Sequence, residues 1–144
     1  MKIKPDVKAL IDQLIAIHLN KGVQPSDISG NIFEDNYRTV EIMRCSGSVK
    51  MTVSFCEFED SADQSIVHMR YTYSPDKTLM QIEQKVGRKP FKIQWDRRQS
   101  IKDLICKIAQ ELKQINDPTE VDTAMRTIPN EFVVDIGEKL KLVA

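Results

Sequence analysis

The chain has 144 residues, of which 41% are hydrophobic and 29% charged; this is the size of one domain, here expected to span 1–144, and is too apolar for wholesale disorder. Lys+Arg and Asp+Glu number 21 each, so the bulk charge favours neither polyanions nor basic partners. No apolar run approaches the ~18 residues of a membrane span, and the opening Met-Lys-Ile-Lys-Pro-Asp lacks the apolar core of a signal peptide, so no membrane partner is expected.

The first predicted element is a helix. Pro5 suits its first turn and Asp6 its positive end, and Val7, Leu10, Ile11, Leu14, Ile15, Ile17 and Leu19 build a broad apolar face ending before Asn20-Lys21-Gly22. That face is wide for a helix lying on one surface, which raises homodimerisation through it as a possibility. His18, near its C-terminal end, reads as a half-buried structural residue. Residues 23–36 are rich in turn formers.

From 38 onward the period shifts from 3.6 to 2. Strands are predicted at 38–45, 49–56, 65–74 and 79–86, and a fifth carries Phe91, Ile93 and Trp95 in alternation with Lys92, Gln94 and Asp96. The connections are short: Ser46-Gly47-Ser48, the acidic stretch 57–63, Ser74-Pro75-Asp76-Lys77 and Gly87-Arg88-Lys89-Pro90. A second long helix is expected to open at Ser100 as N-cap, to carry Ile101, Leu104, Ile105, Ile108, Leu112 and Ile115 on its stripe, and to stop at Asn116-Asp117-Pro118. Val121, Met125 and Ile128 suggest a short helix after Thr119. Residues 130–143 fit helix and strand periods alike, and the helix is preferred although Gly137 weakens it.

The predicted fold class is α+β: an N-terminal helix, a five-stranded antiparallel meander, a second long helix on the same sheet face and a short helical tail. One core is expected to unite Leu10, Leu14, Val53, Met69, Ile82, Ile93, Leu104 and Ile108. The sheet's other face is left polar, carrying Glu41, Lys50, Thr52, Ser54, His68, Arg70, Gln81, Glu83, Lys92 and Gln94.

Three cysteines, Cys45, Cys56 and Cys106, are odd in number and widely spaced, which predicts reduced thiols in a cytoplasmic protein. With His18 and His68 the only imidazoles, no zinc set is expected, and the carboxylates of 57–63 lack the glycine and final glutamate of an EF-hand loop, so neither metal nor cofactor is assigned. No nucleophile elbow, phosphate-binding glycine loop or HExxH pattern is present.

Three functional readings remain. The preferred one is a non-enzymatic adaptor, chaperone or immunity-type protein that binds a protein partner through an open sheet edge or through the polar face, at Lys50, Thr52, His68, Arg70, Gln81, Glu83, Lys92 and Gln94. The second is nucleic-acid binding. Residues 75–98 hold seven basic and three acidic groups, and Lys85, Arg88, Lys89, Arg97 and Arg98, with Lys92 among them, interleave with Phe91 and Trp95. Against it, those aromatics are expected on the core side of their strand. The third is a small enzyme or ligand sensor centred on His68 and Arg70, an imidazole and a guanidinium two residues apart on one strand face.

Overall fold

A computed structural model describes residues 3–56 and 66–141. It contains five α-helices and a five-stranded antiparallel sheet in the predicted helix–sheet–helix order, which establishes the α+β class. The acidic stretch 57–63 lies outside the described residues. Among those described, no helix is long and apolar enough to cross a membrane.

The chain forms two compact units, one of Met1–Asn20 with Arg98–Ala144 and one of Lys21–Arg97. In the first, α1 (Pro5–Leu19) buries Val7, Ile11 and Leu14, positions that recur at helical spacing. They cluster with Leu104, Ile105, Ile108 and Leu112 of α3 (Arg97–Lys113), Ala124 of α4 (Pro118–Arg126), Ile128, and Phe132 and Ile136 of α5 (Asn130–Lys141). The width of the α1 face is thereby explained without a second copy, because Leu10, Ile15 and Ile17 also pack on this cluster while Leu19 stays 74% exposed. The expected single core is replaced by two clusters, this one and another within the sheet unit.

Local signals account for the helix boundaries. Asp117 caps α4 by accepting from the Thr119 amide at 3.0 Å, with Pro118 in the first turn. Residues 130–141 are helical, since Phe132 and Ile136 are buried four apart whereas Val134, which a strand would place beside them, is 65% exposed. The His18 ring meets Phe132 edge-on at 5.4 Å and its Nδ1 lies 3.5 Å from Glu131, tying α1 to α5 and giving His18 the structural role expected of it. One boundary differs: α3 opens at Arg97 and not at Ser100, following directly from the last strand.

The second unit holds α2 (Pro25–Ser29), a 3₁₀ turn at Gly30–Phe33, and strands β1 (Tyr37–Cys45), β2 (Ser48–Cys56), β3 (Ile66–Tyr73), β4 (Leu79–Val86) and β5 (Lys92–Asp96), hydrogen-bonded in sequence order. Its core is Met51, Val53, Tyr73 and Leu79, with Ile28, Val40, Val49, Phe55, Tyr71, Ile82 and Trp95 packed around it. Residues 21–24 are anchored beside the β3–β4 turn. Leu79 donates to the Lys21 carbonyl at 2.7 Å, Tyr73 donates its hydroxyl to Val23 at 2.7 Å, and Gln24 donates to the Lys77 carbonyl at 2.9 Å. Gly22 makes this approach possible: its φ is +89° and a Cβ there would lie 2.8 Å from Leu79 Cβ.

Two stability measurements check this packing. Leu104→Ala should destabilise the protein by about 2–5 kcal/mol in denaturant titration, the range for an emptied core position. Gly22→Ala should cost about 1–3 kcal/mol from backbone strain at positive φ, whereas Gly137→Ala, which has open space around it, should stabilise α5 by up to about 1 kcal/mol.

Candidate interaction surface

The sheet register decides which side chains share a face. Thr52 pairs with Arg70, Ser54 with His68, Arg70 with Glu83, and His68 with Lys85. Lys50, Thr52, His68, Arg70, Gln81 and Glu83 therefore share the polar face, as expected, joined by Glu41 opposite Thr52 and Met43 opposite Lys50. At its centre Arg70 donates from Nε and Nη2 to the two oxygens of Glu83, both at 2.9 Å. This fork-to-fork pair holds the Glu83 carboxyl below its usual value and raises Arg70, with Lys50 adding to the field on Glu83. His68 Nδ1 and Ser54 Oγ are hydrogen-bonded at 2.8 Å, and Gln81 donates to Asp96 at 3.1 Å.

β5 departs from the expected alternation. Ile82 pairs with Trp95 but Glu83 pairs with Ile93, so the register slips by one residue and Gln94 becomes the extra residue of a bulge. Trp95 faces the sheet core as predicted. Phe91 and Ile93 instead occupy the polar side, while Lys92, opposite Gln84, falls on the other face; Lys92 and Gln94 thus leave the predicted polar set. The compensation is direct: the Arg70 guanidinium lies 3.9 Å from the Phe91 ring centroid and the Lys85 ammonium 5.7 Å from it. An aromatic under the Arg70–Glu83 pair is the feature that strict alternation conceals.

The basic segment is dispersed. Arg97 is buried, donates from Nε to the Leu79 carbonyl at 2.6 Å and sits 5.4 Å from the Trp95 ring; burial lowers its pKa while Asp76 opposes the shift. Arg97 is thus a structural residue, withdrawn from the predicted patch. Lys85 leans on Phe91, Arg88 and Lys89 flank the β4–β5 turn, and Arg98 begins the first unit's share of α3.

Residues near β1 were missed. Among the described residues the strand has β2 on one side and no strand on the other, and six of its nine residues are exposed, among them Ile42 at 52% and Met43 at 61%. Two adjacent apolar residues in a strand violate half-buried alternation, a signal present in the sequence. A groove of about 300 Å³ at the turn end of β1 is lined by Arg44, Cys45, Gly47, Ser48, Val49 and Pro75. The three cysteines are free thiols, and among the described residues no group of His, Cys, Asp and Glu is placed to hold a metal ion.

Comparison with protein-family models, curated proteins and solved structures returns no match.

The Arg70–Glu83 pair has a pH signature. Its folded-state Glu83 pKa is depressed, so the stabilisation is present above the unfolded value near 4.5 and is lost as pH falls through the folded value. Glu83→Gln should therefore lower the melting temperature at neutral pH and flatten the acid limb below about pH 4.5 relative to wild type.

Proposed function

We propose that this protein is a non-enzymatic interaction protein, and that its sheet unit takes an extended segment of a protein partner along the free edge of β1. The observation that carries this reading is the edge itself: nine residues long, largely exposed, and apolar at Ile42 and Met43. Such an edge offers main-chain donors and acceptors that give affinity, and side chains on alternate faces that give selectivity. On one face the selecting groups are Met43, Glu41, Lys50 and Thr52; on the other they are Val40 and Ile42. His68 and Arg70 act here as fixed members of the polar surface, each with a side-chain partner, in place of acid–base or anion-binding roles.

The test is a pull-down from native extract with wild type and Ile42→Lys, followed by mass spectrometry. The expected result is one stoichiometric polypeptide, an extract protein or an untagged copy of this chain supplied with the extract, retained by wild type and lost by Ile42→Lys. Retention that survives Ile42→Lys would overturn the edge reading. Nuclease-sensitive material released by Arg88→Glu with Lys89→Glu would favour nucleic acid instead.

A further inference from the structure

We infer that the segment that docks on β1 is β1 of a second copy of this chain, giving an antiparallel, two-fold symmetric pair with Ile42 opposite Ile42 of the partner. The inference rests on the reading of β1 as the docking edge and goes further by naming the occupant and its register.

The two edges of the sheet differ in how they are guarded. β5 is five residues long, follows Pro90 and carries the Gln94 bulge, all devices that discourage strand addition. β1 is nine residues long, and its register irregularity is confined to Tyr37/Thr39, leaving Thr39–Cys45 in unbroken pairing with β2.

The hairpin turn determines which main-chain groups are available. β1 and β2 join through Ser46-Gly47, Gly47 at a φ of +72°, with Cys45 opposite Ser48. In a two-residue hairpin the residues flanking the turn exchange hydrogen bonds, and alternation then turns Cys45, Met43, Glu41 and Thr39 toward β2. The N–H and C=O groups of Arg44, Ile42 and Val40 point to the free edge.

A two-fold antiparallel partner must match outward groups with outward groups and keep each face continuous. Centring the pair on Ile42 does both: Ile42 meets Ile42, Val40 meets Arg44 and Arg44 meets Val40, each a hydrogen-bonded pair. Between them Glu41 meets Met43, and Cys45 meets Thr39. No like charges are opposed. Centring on Glu41 would set Glu41 against Glu41 and Arg38 against Arg44, a destabilising arrangement. Centring on Met43 would put Arg44 against Ile42 and leave Val40 opposite the Ser46 turn. Ile42 pairs with Met51 within its own chain, so the favoured register extends the Met51–Tyr71–Ile82 row across the junction.

Sedimentation equilibrium of the purified chain tests the occupant. Wild type should be a dimer in the micromolar range, and Ile42→Lys, which sets two ammonium groups face to face, should weaken association at least about tenfold, with its melting temperature equal to that of wild type at dilutions where both chains are monomeric. Disulfide trapping tests the register in a background with Cys45→Ser and Cys106→Ser. A mixture of Glu41→Cys and Met43→Cys chains should cross-link, since a non-hydrogen-bonded pair has its Cα atoms ~4.5 Å apart, whereas either variant alone should not. Self-cross-linking of Glu41→Cys or of Met43→Cys alone overturns the register. A monomer throughout the range, with an extract protein still released by Ile42→Lys, overturns the second copy but leaves the edge reading standing. A dimer unaffected by Ile42→Lys, in a chain whose extract binding is also unaffected, overturns both.

Discussion

An antiparallel strand can offer a given face only every second side chain, and a given neighbour only every second pair of main-chain groups. Most of the sheet unit follows from that constraint. It puts Met51, Val53 and Tyr73 into one buried row and Thr52, Arg70 and Glu83 into the opposite one. The polar row is then obliged to satisfy its charges laterally, across strands. Arg70 does so with both carboxylate oxygens of Glu83, a geometry that a lysine could not reproduce. Where the rule is broken, at Gln94, the break has a visible return: Trp95 keeps its place in the core while Phe91 reaches the cationic face.

The helical unit answers a different demand. A helix with an apolar face broader than one stripe needs neighbours on more than one side. α3, α4 and α5 supply them to α1, and short capped connections let α4 and α5 follow α3 within a few residues. The two buried clusters therefore arise from two periodicities, 3.6 in the helices and 2 in the strands.

Much of this was legible from residues alone. The five strands fall within one or two residues of their predicted bounds, because Val49, Met51, Val53 and Phe55 alternate cleanly and Ser46-Gly47 and Ser74-Pro75-Asp76-Lys77 mark turns. The stripe of α3 was equally clear, but its start was not: Ser100 is a good cap by type, whereas the helix starts where buried Arg97 is held by Leu79, a tertiary bond with no local signature. The same limit applies to the candidate surface. Lys50, Thr52, His68, Arg70, Gln81 and Glu83 were placed on their face by period, while Lys92 and Gln94 were misplaced by a one-residue bulge in a segment whose alternation looks unbroken. Ile42 and Met43 were visible as an adjacent apolar pair, but their meaning depends on strand order, which makes β1 an edge.

The charge distribution bears on the kind of partner. A polyanion site needs several cations free to meet phosphates at once, since neutralised phosphates supply most of its affinity. Here Arg70 is neutralised by Glu83, Arg97 is buried against Trp95 and Leu79, and Lys92 stands on the opposite face from Lys85. What remains together of the basic segment is Arg88 and Lys89 at one turn. A protein strand asks for something else, a straight run of main-chain groups flanked by modest apolar side chains of compatible charge. β1 provides that run from Val40 to Arg44, with the fixed Arg70–Glu83 surface two strands away, which supports the proposed reading of a polypeptide as occupant over that of a polyanion.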